Sequence, residues 1–339
     1  MNDRVRWGIL GPGGIARSFA KGLGAVPDAD LVAVGSRSED RARELAEAFE
    51  VPRHYGSYDA LVADPEVDVI YIATIHPAHK ENLLLAIEAG KAVLCEKPFT
   101  MNAAEAKEVI AAARAKGVFV MEGMWTHFLP AIRKVREWIA DGGIGDVRML
   151  VADFGYRTGW DPDNDRAVNP DLGGGALLDV GCYPIHFAWK VFGGPPAEVT
   201  SAAHVGETGV DEQSATVFSY SDGGLAILSS AVRTRTNAEA WIFGTEGRIH
   251  VPSPFYCGTR AVRYPRKGEP EKFEQLHRAN GFEYEAEEVM RCLRQGVIES
   301  ELMPLDETLA ILQTMDGLRE SWGVSYAADR ATVGTAPNL

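Results

Sequence analysis

A lysine between a glutamate and a proline closes the run Val93-Leu94-Cys95-Glu96-Lys97-Pro98. The apolar residues read as a short buried strand. Proline fixes its own φ and biases the residue before it away from helix, so the strand ends with Lys97 at its tip. In open parallel sheets ligands sit beyond the carboxyl ends of the strands, and an amine placed there can give or take a proton. On these six residues alone, a surface lysine paired with Glu96 is the alternative. Downstream, Asp179 and Tyr183 stand four apart in a helical run from Leu177 to Val191, which puts them on one face. By itself that spacing also suits an ordinary buried hydrogen bond, so its chemistry depends on a cofactor motif upstream.

Such a motif opens the chain. Arg4 to Leu10 is a short apolar strand, and Gly11-Pro12-Gly13-Gly14-Ile15-Ala16 follows as Gly-x-Gly-x-x-Ala before a helical pattern through about Val26. Glycines permit the tight turn and let backbone amides approach a pyrophosphate, while the helix N-terminus supplies partial positive charge. The second strand, Leu31 to Gly35, ends in Ser36-Arg37-Ser38, without the acidic residue that would hold two ribose hydroxyls. A serine and a guanidinium suit a 2′-phosphate instead, so the expected cofactor is NADP rather than NAD. Arg41 is either a second cation for that phosphate or a solvated face residue. A nearly continuous apolar strand, Val67 to Thr74, leads into Ile75-His76-Pro77-Ala78-His79. Thr74, His76 and His79 therefore fall at the ligand edge, as cofactor contacts or as helix caps. Glu96 and Lys97 complete the cofactor-side set.

Strand-helix alternation continues through the helix Ala103 to Lys116 and the strand Val118 to Met121, which predicts a doubly wound parallel sheet (Rossmann, α/β) over residues 1–124. From Val147 the hydrophobic period changes. Arg148 to Phe154, Ala197 to Val205, Gln213 to Tyr220, Leu225 to Val232 and Ala240 to Gly244 read as strands of a large, mainly antiparallel sheet in an α+β domain over 125–330, with a loose tail at 331–339. Trp125 and Phe154 are candidate apolar walls for a substrate, or simply core. The irregular stretch from Tyr156 to Gly175 offers Arg157, Trp160 and Asp165 as hydrogen-bonding groups for a polyhydroxylated ligand. Its acidic cluster lacks the closing glutamate of a calcium loop, and no metal is expected. Alternating Ala226, Leu228 and Ser230 suggest a flat sheet face fit for contact between copies.

Length and composition fit this plan. At 339 residues the chain exceeds the size at which one core keeps growing. Its net charge of −14 repels nucleic acid and anionic membranes, leaving a small-molecule partner. No signal-peptide core or membrane-spanning run is evident. Cys95, Cys182, Cys257 and Cys292 show no metal-binding spacing and suit a reducing compartment, so a cytoplasmic protein is expected.

Together, the glycine turn, Glu96-Lys97-Pro98 after five strand-helix units, and Gly173-Gly174-Gly175-Ala176-Leu177-Leu178-Asp179-Val180-Gly181-Cys182-Tyr183 resemble the Gfo/Idh/MocA oxidoreductases over nearly the whole chain. Glu122 to Pro130, Tyr183 and Phe282 to Glu287 look like the branch holding dimeric trans-dihydrodiol dehydrogenases, NADP-dependent D-xylose dehydrogenases and glucose–fructose oxidoreductase. Most of the family carries histidine where this chain has Tyr183. The resemblance implies that Lys97 and Tyr183 flank a substrate hydroxyl, that Asp179 orients the group and that the Lys97-Pro98 bond is cis. It also implies an NADP-dependent oxidation of a cyclic polyol, such as an aldose or a trans-dihydrodiol, with either Lys97 or Tyr183 as immediate base. Two other readings stay open: a non-catalytic NADP-binding regulator, and an enzyme that recycles a tightly held cofactor.

Overall fold

The structure is a computed structural model that describes residues 4–159, 161–162 and 165–333. Trp160, expected at the substrate, lies outside the described residues, as does 334–339 of the expected tail. The chain divides into two compact units, one made of residues 1–125 and 277–309, the other of 126–276 and 310–339.

The first unit is built on β1 (Val5–Leu10), α1 (Gly14–Leu23), β2 (Ala29–Gly35), α2 (Glu39–Ala48), β3 (Arg53–Tyr55), α3 (Tyr58–Val62), β4 (Val69–Ile72), α4 (His79–Glu88), β5 (Ala92–Glu96), α5 (Ala103–Lys116) and β6 (Val120–Gly123). Its six strands are all parallel, in the order β3-β2-β1-β4-β5-β6. β4 and β5 are buried at every position, which explains why their sequences are apolar without alternation. The strand order reverses beside β1, and parallel strands carry their carboxyl ends to one edge, so the turn after β1 and the residues after β4 and β5 share it.

The second unit opens with α6 (Pro130–Ala140) and β7 (Val147–Gly155). A π-helical turn, Leu177–Gly181, runs into α7 (Cys182–Phe192). The expected single helix thus begins with a wider turn, a feature found at functional sites. Strands β8 (Glu198–Val205), β9 (Asp211–Ser219), β10 (Leu225–Ala231), β11 (Ala240–Gly244), β12 (Gly247–Val251), β13 (Arg260–Pro265) and β14 (Glu271–Glu274) complete an eight-stranded sheet in the order β14-β13-β12-β11-β7-β10-β9-β8. Only β7 and β10 pair in parallel.

One sequence expectation is off by one residue in parity. Ala226, Leu228 and Ser230 of β10 face inward and are buried, so they cannot form the outer surface proposed for contact between copies. Ile227, 42% exposed, lies on the opposite face, paired across the sheet with Val217 and Val151. Side chains alternate with period two, so such a slip exchanges the faces. The small residues have another use: a Cβ on Gly181 would stand 2.9 Å from Ser230 Oγ, so the sheet makes room there for the π-turn.

After β14 the chain rejoins the first unit with α8 (Phe282–Gln295); α9 (Leu305–Trp322) begins there and continues into the second unit, to which α10 (Ala327–Val333) belongs. α8 packs on α1, where a Cβ on Gly22 would lie 2.7 Å from Phe282 Cβ. Among the described residues, no helix is long and apolar enough to cross a membrane, and no cluster of His, Cys, Asp or Glu side chains could hold a metal ion.

Candidate active site

The turn after β1 is shaped for an anion. Gly11 has φ +97°, and a Cβ there would sit 2.8 Å from Thr74 Cγ2, so both conformation and space demand glycine. Gly13 caps α1 without a side-chain hydrogen bond, the first turn of α1 holds no acid, and a Cβ on Gly14 would meet no atom within 4 Å. Amides of the first turn therefore keep their donors for a ligand, with the helix dipole behind them. Ile15 is exposed and Ala16 buried beneath the turn. These residues fit the diphosphate of a nicotinamide dinucleotide. At the tip of β2, Ser36 is buried and its hydroxyl accepts from Ser38 N at 3.2 Å. Arg37 and Arg41 are both exposed. Their neighbours Arg17 and Arg43 are instead paired with Glu44 and Asp40.

Lys97 is half-buried at the carboxyl end of β5, and its bond to Pro98 is cis, as the resemblance implies. The groups around it hold the loop in place. Tyr71 of β4 donates its hydroxyl to Glu96 Oε1, and Lys97 N donates to Glu96 Oε2 at 3.3 Å. The Glu96 carboxyl, expected at the cofactor, is thus turned into the core. His79 is fully buried, with Nδ1 2.9 Å from Pro98 O and Nε2 3.1 Å from Thr74 O. It ties the end of β4 to the lysine loop instead of reaching outward, and burial lowers its proton affinity. Thr74 Oγ1 accepts from Asn82 Nδ2 at 3.1 Å, and His76 packs edge-on against His79. Glu122 of β6 accepts from Phe99 N at 3.1 Å and from Thr308 Oγ1 at 2.9 Å, while burial pushes its pKa up to about 7.

In the second unit, Asp179 sits in the π-turn and Tyr183 in the first turn of α7. Asp179 is clamped on both oxygens, by Arg166 Nη2 at 2.7 Å and by Tyr156 OH at 2.5 Å. Tyr183 lies in an aromatic group: Phe154 is tilted against it at 5.4 Å, and Tyr256 stacks on Phe154 at 3.9 Å. Trp125 belongs to the first unit, where it stacks on Phe282 at 4.3 Å. Asp165 is spent within its own loop, accepting from Thr158 Oγ1 and Ala167 N, and Arg157 is exposed.

Sequence reasoning passed over Arg166, Tyr156, Tyr256 and Tyr71 as site residues. Only Arg166 carried a signal, as a cation in the loop leading to Asp179. The aromatic residues meet their partners through folding alone.

These features define a two-part oxidoreductase: a dinucleotide-binding sheet with an amine at its ligand edge, and a second unit whose π-turn and following helix bear an aspartate and a tyrosine. Residues 5–124 match the oxidoreductase family with NAD-binding Rossmann fold, and residues 132–250 match the GFO/IDH/MocA C-terminal domain. The chain belongs to the Gfo/Idh/MocA oxidoreductase family, and its cofactor is a nicotinamide dinucleotide. It is 40% identical over 333 residues to trans-1,2-dihydrobenzene-1,2-diol dehydrogenase of Xenopus laevis, covering 95% of this chain and 99% of that one. The Homo sapiens protein of the same name is 37% identical over 337 residues, covering 96% and 99%. Among solved structures, aldose-aldose oxidoreductase from Caulobacter crescentus, complexed with glycerol, has a TM-score of 0.85 at 25% identity, covering 94% of this chain and 97% of that one. A 3-ketoreductase from Actinomadura kijaniata, in complex with NADP and TDP-benzene, has a TM-score of 0.83 at 27% identity with the same coverage.

Proposed function

We propose that the protein is an NADP-dependent dehydrogenase that oxidises a ring hydroxyl of a cyclic diol or aldose. The observation that carries this reading is the position of Lys97, at the carboxyl end of a strand whose sheet edge also bears the glycine turn. When bound, the nicotinamide supplies the hydride acceptor. This chain supplies the proton path: Lys97 and Tyr183 serve as a pair on the reacting hydroxyl, with Asp179 holding the orientation of the second unit's contribution. Arg37 and Arg41 receive the 2′-phosphate, which favours NADP over NAD. Phe154 and Tyr256 offer a flat apolar surface that suits one face of a ring. The names of the relatives support a diol or a sugar as substrate.

A spectrophotometric screen for NADPH formation with trans-dihydrodiols, aldoses and inositols tests the reading. Lys97→Met and Tyr183→Phe are each expected to lower turnover by about 100-fold or more while NADP binding, followed by fluorescence, is retained. Undiminished turnover in both variants would exclude the assignment.

We also infer a homodimer through the outer face of the second unit's sheet, centred on Ile227, Val217 and Trp241. Sedimentation at micromolar concentration is expected to show a dimer that Ile227→Lys dissociates. A monomeric parent protein would remove the inference.

A further inference from the structure

Tyr326, in the short link between α9 and α10, is buried within the second unit. Its surroundings fix the ring. The Tyr326 amide donates to Asp329 Oδ2 at 2.9 Å, and the Arg319 guanidinium lies over the ring at 5.1 Å. Arg319, itself buried, donates to Asp329 Oδ2 at 2.7 Å through Nη1 and to Asp316 Oδ1 at 2.6 Å through Nη2. α9 is tied to β8 by Trp322 Nε1, which donates to Ser201 Oγ at 2.9 Å. The phenol so placed meets the glycine turn that precedes the π-turn: its hydroxyl donates to Gly174 O at 2.5 Å. Gly175 has φ +111°, and a Cβ there would stand 2.7 Å from the same hydroxyl, so the turn closes directly onto it. From this turn the chain leads to both members of the Asp179 clamp. Gly175 O accepts from Asp179 N at 3.1 Å. On the other side, Gly175 N donates to Ala167 O at 2.8 Å, and a Cβ on Gly174 would lie 2.6 Å from Arg166 O. Asp179 and the guanidinium that holds it are thus both anchored to the two glycines that Tyr326 fixes.

We propose that Tyr326 is a positioning residue for Asp179: by locking the Gly174–Gly175 turn it sets Asp179 and Arg166 relative to each other, which makes the α9–α10 segment part of the framework of the active site. This rests on the reading of Asp179 as the group that orients the second unit's contribution. A single hydroxyl can have this effect because glycines offer the turn no side chains of their own to hold it, and backbone freedom is greatest there. Without the phenol, Gly174 O loses its buried donor, and the turn gains freedom at the point where the π-turn begins.

The test is a double-mutant cycle in kcat, on the substrate that the NADPH screen identifies. Tyr326→Phe removes the hydroxyl and keeps the ring beneath Arg319. It is expected to lower kcat about 10-fold while KM for NADP is unchanged. In an Asp179→Asn background the same substitution should cost less than about 2-fold, because the group it positions has gone. Equal losses in the two backgrounds would show that Tyr326 acts on the fold at large and would overturn the proposal, as would an undiminished kcat in Tyr326→Phe. Hydrogen exchange of the whole protein, read by mass spectrometry, gives a measure that needs no turnover. In Tyr326→Phe the amides of residues 174–179 should exchange about 10-fold faster, and those of β11 and β12 at the parent's rates. Acceleration throughout the second unit, or none at the turn, would also overturn the proposal. Acceleration confined to the turn, in a protein that oxidises no diol or sugar, would support the lock and count against the dehydrogenase reading instead.

Discussion

The candidate lysine and the candidate aspartate are held by opposite kinds of surroundings. Beside Lys97 the fold gathers two buried acids, Glu96 and Glu122. Glu122 titrates near neutrality because burial pushes it up to about 7. Around Asp179 it gathers donors, a guanidinium from Arg166 and a phenol from Tyr156. The first arrangement responds to pH, because Glu122 changes charge near neutrality. The second is built on a guanidinium that Asp179 keeps charged against the pull of burial.

The largest expected effect that could break this contrast comes from Asp179→Asn. Loss of the carboxylate leaves Arg166 without its partner, and kcat is expected to fall by about 100-fold. If Asp179 only orients, the fall should be nearly uniform over roughly pH 6 to 9, and the limbs of the profile should stay in place. A limb displaced by a full unit would show that Asp179 belongs with the titrating groups, and the contrast would fail. Arg166→Met should reproduce the uniform loss at smaller amplitude, because Tyr156 still holds one oxygen.

How much of this was legible in the sequence depended on the range of the interaction. The parallel sheet was readable because apolar runs and glycine turns are local signals, and the carboxyl end of β5 followed from a proline two residues beyond Glu96. The helical run that carries Asp179 and Tyr183 was readable from its spacing, while their roles came only from the family resemblance; the π-turn was not readable, since it depends on close packing of Gly181 against Ser230. β12, β13 and β14 escaped because charged residues interrupt their alternation. The inward turn of Glu96 and His79 was hidden for a different reason. Strand-tip residues can point to ligand or to core, and the choice here was made by Tyr71, Pro98 and Thr74, partners that no local pattern names.

The smallest expected effect concerns what braces the second unit, and it sharpens the contrast by asking whether that unit is pH-insensitive throughout. Asp211 is fully buried, and its Oδ2 accepts from Leu177 N at 2.7 Å where the π-turn begins, while Tyr326 OH donates to Gly174 O at 2.5 Å beside it. Burial pushes Asp211 up from 3.8 to about 7, so the folded protein binds a proton there that the unfolded chain releases at lower pH. Its contribution to stability is therefore present in full below the unfolded value, is lost as pH rises from about 4 to about 7, and is flat above. Asp211→Asn removes that dependence while keeping an oxygen for Leu177 N. Relative to the parent protein, the variant should gain on the order of 4 kcal/mol of unfolding free energy between the ends of this window. Urea titrations at about pH 4 and pH 8 give the comparison. A difference between variant and parent that does not change with pH would mean that Asp211 is ionised throughout. The aspartate side of the molecule would then be fixed in charge down to its brace, and the response to pH would belong to the lysine side alone.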